Sequence, residues 1–145
     1  MKPLERALAA VIAGDVRSLF AVVSATHSEL TAAAEMIPNL SVSRGSVVRI
    51  LETWRSGACS DVHVQQWASF VKRGYVDGRT GPTLPIDIPY DADDEDMIVE
   101  IVGRFDELGD EIDGVNSTRC CRLSVAGISI LDRDWRGVRQ TLVPC

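Results

Sequence analysis

The chain has 145 residues, of which 46 % are hydrophobic and 25 % charged, and its net charge is −6. That size and balance suit one compact domain and exclude a disordered or fibrous chain. No run approaches the roughly 18 uninterrupted apolar residues of a membrane span, so no membrane anchor is expected.

The opening MKPLERALAAVIAG looks at first like a leader. Its apolar run is only about eight residues long and lacks a small-residue cleavage site. Asp15 and Arg17 cut it off, and the reading is a cytoplasmic chain. Cys59, Cys120, Cys121 and Cys145 contain no C-x-x-C pair, which in a reducing compartment predicts buried or incidental thiols rather than disulfides. The negative charge is uneven. Residues 77–113 carry 13 acidic side chains against Arg79 and Arg104, a net of −11, while 1–76 and 114–145 carry +2 and +3. A field of that kind repels nucleic acid and steers basic partners.

Taken in chain order, Pro3 suits a first helical turn, and Leu4, Leu8, Val11 and Ile12 recur at helical spacing before Gly14, which predicts a short first helix. Asp15 can cap a second one, with the stripe Val16, Leu19, Phe20, Val23, Leu30 and Ile37 running to Pro38. His27 falls on that stripe and reads as a core or boundary histidine rather than a catalytic base. Ser43 or Ser46 opens a third helix with Val47, Ile50, Leu51 and Trp54 at i, i+3, i+4, i+7, stopped by Gly57. Ser60 or Asp61 starts a fourth, with Val64, Trp67, Ala68 and Val71, closed by Gly74. The two Trp-bearing helices are expected to form a hairpin packed through Trp54 and Trp67.

Residues 75–90, YVDGRTGPTLPIDIPY, hold three prolines and two glycines and read as an extended connection, with LPIDIP a strand-like arm at most. A fifth helix follows. Met97, Ile98, Ile101, Val102, Phe105, Leu108 and Ile112 form one apolar stripe, and Glu95, Asp96, Glu100, Asp106, Glu107, Asp110 and Glu111 occupy the rest of the surface. Asp91 or Asp93 can cap it, and the first acids suit the positive end of the helix dipole. Asp106, Glu107, Asp110, Glu111 and Asp113 lie at the wrong end for that explanation. After Asn116, Cys121, Val125, Ile128, Leu131 and Trp135 suit a helix, while Leu123 to Ile130 around Ala126-Gly127 would equally suit a hairpin.

The search for chemistry is mostly negative. There is no G-x-S-x-G turn, glycine-rich phosphate loop or H-E-x-x-H helix, and the chain has only two histidines. An EF-hand calcium loop started at Asp91 fits at Asp93 and Glu95, yet Asp96 stands where Gly is required and Val102 where Glu is required. Cys59 and His63, spaced i, i+4, could contribute to a zinc set with Cys120 and Cys121, although adjacent cysteines close on one tetrahedral ion only with strain. The fourth helix offers Gln65, Gln66, Lys72 and Arg73 to a helix-turn-helix reading. No catalytic residue, cofactor or metal is assigned.

The pair LETWRSG and VQQWASFV, together with the acidic helix, resembles the small bacterial helical proteins of the colicin-immunity-like kind, which serve as immunity partners to secreted toxins. The resemblance spans about residues 43–113 and carries over no individual residue. It implies an all-helical protein whose acidic face occupies a basic cleft. The expectation is therefore a mostly α single domain over 1–145, a bundle of about five or six helices with the extended connection at 75–90. It would be a non-catalytic module that binds a basic protein partner through Glu100, Asp106, Glu107, Asp110 and Glu111. The alternatives are a helix-turn-helix DNA-binding regulator and a small metal-dependent protein using Cys59 and His63.

Overall fold

The computed structural model describes residues 1–76, 78 and 84–108. Local capping chemistry sets most of the helix boundaries. Pro3 enters α1 (Pro3–Ile12) at its first turn, and the Glu5 carboxylate accepts from the Lys2 backbone N–H at 2.8 Å. Ser43 caps α4 (Arg44–Arg55) and Ser60 caps α5 (Asp61–Arg73), each accepting from the backbone N–H three residues on. Either cap satisfies one of the four N–H groups that a helix start leaves without a partner. Gly74 ends α5 in the left-handed conformation, its N–H donating to the Phe70 carbonyl at 2.8 Å. A Cβ there would overlap the Ile86 carbonyl oxygen, so glycine also lets the 84–90 segment approach.

The expected second helix is broken. Asp15 caps a 3-10 turn (Val16–Ser18), followed by α2 (Leu19–Ser24), and α3 (His27–Glu35) starts afresh after Ala25 turns extended. The cause is a capping box. The Thr26 hydroxyl accepts from the Glu29 N–H at 3.3 Å, and the Glu29 carboxylate accepts from the Thr26 N–H at 2.8 Å. Breaking the helix also breaks the stripe. Val16, Leu19 and Leu30 stay buried, but Phe20 is 81 % exposed.

α6 (Glu95–Asp106) completes the described elements. Its N-terminal flank is Asp94, whose side chain makes no capping bond, rather than the anticipated Asp91 or Asp93. Asp91 instead accepts from the Asp93 N–H at 3.3 Å in the turn before the helix. The helix ends at Asp106 and Leu108 folds back into the core, while Ile112, the rest of the stripe and the choice between helix and hairpin at 119–131 lie outside the described residues. Among the described residues the architecture is all-α, six helices with one isolated parallel bridge between Val42 and Tyr90. The segment 84–90 runs extended, as its prolines require, and buries Ile86 and Ile88. It is tied down by the Ile86 N–H on the Gly74 carbonyl and the Val42 N–H on the Pro89 carbonyl, both at 2.9 Å.

The core centres on α5 and α6, the most extensive helix pair. Trp67 is fully buried and donates its indole N–H to the Val11 carbonyl at 2.6 Å. That carbonyl, in the last turn of α1, also accepts from the Gly14 N–H at 2.9 Å, and its second lone pair satisfies the buried indole and ties α5 to the end of α1. The two tryptophans do come together, but through a third ring. Trp54 and Trp67 each meet Phe105 of α6 edge-on, at centroid separations of 6.0 and 6.5 Å. Gly14 permits the other close contact, because a Cβ there would overlap the Ser46 carbonyl oxygen of α4.

Candidate functional site

Two places in the fold gather the residues singled out by the sequence: the outer surface of α6 and a groove beside Cys59.

α6 turns Ile98, Ile101, Val102 and Phe105 inward. Outward it presents Glu95, Asp96 and Val99, with Asp91 and Asp93 exposed in the turn before it and Glu107 exposed just after it. Val99 is 51 % exposed in the middle of this acidic surface. The acids of the helix fall into different environments. Glu95 and Asp96 occupy its first turn, where the dipole favours negative charge. Glu100 is paired along the helix with Arg104, Oε1 to Nη2 at 2.6 Å. Asp106 faces α5. Its carboxylate lies 2.9 Å from Lys72 Nζ and 3.6 Å from Arg73 Nη2, its side chain is only 10 % exposed, and its backbone carbonyl accepts from the Gln65 amide at 3.0 Å. Asp106 is thus a brace between two helices. Burial, and secondarily the Asp106 charge, pushes the Tyr90 phenol above its ordinary pKa. Glu107 is exposed just beyond the helix end, and Asp110 and Glu111 lie outside the described residues.

The groove has a volume of about 390 Å³ and lies between the 3-10 turn with α2 on one side and the α4–α5 junction on the other. Val16, Leu19, Phe20, Val23 and Cys59 supply its apolar lining, and Arg17, His63 and Gln66 its polar groups. Cys59 and His63 both line the groove, but Cys59 precedes α5, so the two are not i, i+4 neighbours on one helix, and their chemistry is modest. Cys59 is 8 % exposed, and burial first, with the nearby Asp61 charge second, pushes its thiol pKa up, so it is held as the unreactive thiol. His63 Nδ1 is occupied by Ser60, 3.0 Å from its hydroxyl and 3.3 Å from its N–H. Among the described residues no group of three His, Cys, Asp or Glu side chains is placed to hold a metal ion, and Cys120 and Cys121 lie outside them. Arg17 is engaged by Asp15, whose carboxylate accepts from its Nε at 2.9 Å and holds a pKa below the ordinary aspartate range.

The helix-turn-helix donors are also partly spoken for. Gln65, Lys72 and Arg73 all reach the Asp106 region of α6, and Gln66 lines the groove. The exposed Phe20 and the groove beside it escaped sequence reasoning, because the apolar period continues through a break. The one legible signal was T-x-x-E at Thr26 and Glu29, the pattern of a fresh helix start.

No protein family, curated protein or solved structure matches the chain. Among the described residues no helix is long and apolar enough to cross a membrane.

Proposed function

We propose that the chain is a non-catalytic protein-binding module that presents the outer face of α6 to a basic partner, in the manner of an immunity-type inhibitor. One observation carries this reading: Glu95 and Asp96 stand exposed one turn from a half-exposed Val99, with Glu107 exposed just past the helix end, on a helix whose opposite face is committed to the core. An apolar contact beside polar, charged side chains matches the usual anatomy of a transient interface, and exposed acids speed encounter with a basic surface in a salt-dependent way. Glu100 joins this face at the price of its pairing with Arg104, and Asp110 and Glu111 extend it in sequence. Asp106, braced by Lys72 and Arg73, contributes through the geometry of α6 rather than by contact. The module is expected to work without a cofactor.

The test is capture at low and moderate salt with wild type, a Glu95→Lys/Asp96→Lys/Glu107→Lys variant and a Glu35→Lys control of equal helicity. The reading requires a basic protein held by wild type and control, released by salt, lost by the triple variant, and then rebound in purified form. Equal capture by all three proteins would overturn it. The DNA-binding alternative predicts instead that Gln66→Ala alters retention on duplex DNA.

A further inference from the structure

His27 opens α3 with its ring against the extended arm rather than along an apolar stripe. Nε2 lies 2.9 Å from the Leu84 carbonyl oxygen, a contact that joins residues 57 positions apart. A carbonyl can only accept, so Nε2 carries the ring proton and Nδ1 of the neutral ring bears the lone pair. Nδ1 is the one buried side-chain polar atom without a hydrogen-bond partner among the described residues. A cationic ring would keep the Nε2–H on Leu84 but add at Nδ1 a second donor for which the closed arrangement has no acceptor.

The geometry points to His27 as a pH-sensitive latch on the 84–90 arm, in which a second proton, added at Nδ1, releases the Leu84 end. The cation would place an N–H donor where no acceptor lies, and a donor buried without an acceptor disfavours the closed arrangement by about tenfold or more. Water can satisfy that N–H only if the ring swings out, which breaks the bond to Leu84. The first turn of α3 adds an effect of the same sign, since the positive end of a helix dipole opposes a cation. Among the described residues the surrounding charges offer no substitute acceptor. On α3, Glu29 accepts from Thr26, and Glu35 lies at the far end. On the arm, Asp87 is exposed. On α1, which packs against α3, Glu5 accepts from the Lys2 N–H and Arg6 is exposed. None of these groups is a hydrogen-bond partner of either ring nitrogen. Among the described residues the arm is also held by the buried Ile86 and Ile88 side chains and by backbone bonds that do not titrate, Ile86 to Gly74, Val42 to Pro89 and Asp91 to Val42.

Amide hydrogen exchange at pH 7.5 and 5.0, read as protection factors, tests the latch, with the ring ¹⁵N shifts of His27 reporting its tautomer. In the wild type, Ile86 protection should fall about tenfold on acidification, while Val42, held at the other end of the arm, should keep its protection. In His27→Gln the side-chain amide can still donate to Leu84 but cannot titrate, so Ile86 should keep its protection at both values. A neutral ring protonated at Nδ1, an Ile86 amide indifferent to pH, or an equal loss in His27→Gln would each overturn the proposal. The wild-type shifts and exchange decide the matter alone if the variant does not fold.

Discussion

The two ends of α6 carry the same kind of side chain in opposite service. Asp106 is almost covered, held by Lys72 and Arg73, and faces a neighbouring helix. Glu95 and Asp96, three turns earlier, stand in solvent with the dipole of the helix as their main stabilising influence. Acidic composition alone therefore says little about purpose. A carboxylate that meets a cation on another helix fixes packing, whereas one that faces water sets the field around the molecule and leaves the core untouched.

That contrast can be broken from the inside first. Phe105→Ala removes the ring against which Trp54 and Trp67 both pack, and should cost about 3–5 kcal/mol in urea unfolding. A loss below about 1 kcal/mol would mean that the aromatic cluster is not the centre of the core. Asp106→Ala comes next, at about 1 kcal/mol, because Lys72 and Arg73 are exposed enough to rehydrate once the carboxylate is gone. A double-mutant cycle with Lys72→Ala should return a coupling of about 0.5–1 kcal/mol, and a coupling near zero would remove Asp106 from the bracing role.

Smaller still is the pair formed by Asp15 and Arg17. Hydrogen bonds from Arg17 hold the Asp15 carboxyl below its ordinary pKa, so the pair contributes stability above the unfolded-state value of about 3.9 and loses it as the pH falls through the lower folded value. Asp15→Asn should flatten the acid limb of the stability curve below the unfolded-state value of about 3.9 and leave the neutral region little changed. An unchanged acid limb would show that the pair does not persist in solution. The smallest effect is expected at Glu107→Lys, within about 0.5 kcal/mol of wild type, and it sharpens the contrast most. Stability should hold while salt-sensitive capture weakens, the reverse of what Asp106→Ala should do.

Much of this was readable along the chain. The periods of α1, α4, α5 and α6, the stops at Gly14, Gly57 and Gly74, and the lack of helix at residues 84–90 all follow from residue type and spacing. Helical periodicity read through Thr26 failed, because a stripe of apolar residues measures only phase, while a capping box that satisfies two backbone N–H groups can restart the helix within it. The candidate site was legible in part. Sequence could place the acids on the polar side of an amphipathic helix, yet it could not tell Asp106 from Glu107, since what separates them is whether the next helix brings up a cation.

Residue order by itself determined the local matters: where helices start and stop, which faces are apolar, and that negative charge gathers between 77 and 113. These depend on interactions within four or five residues, whose geometry is the same in any fold. Tertiary structure alone decided that Phe105 joins the two tryptophans, that Phe20 faces water beside a groove, that the Trp67 indole reaches the Val11 carbonyl, and that His27 meets Leu84. Each depends on groups far apart in the chain, and only the packing of the helices settles which of them come within contact.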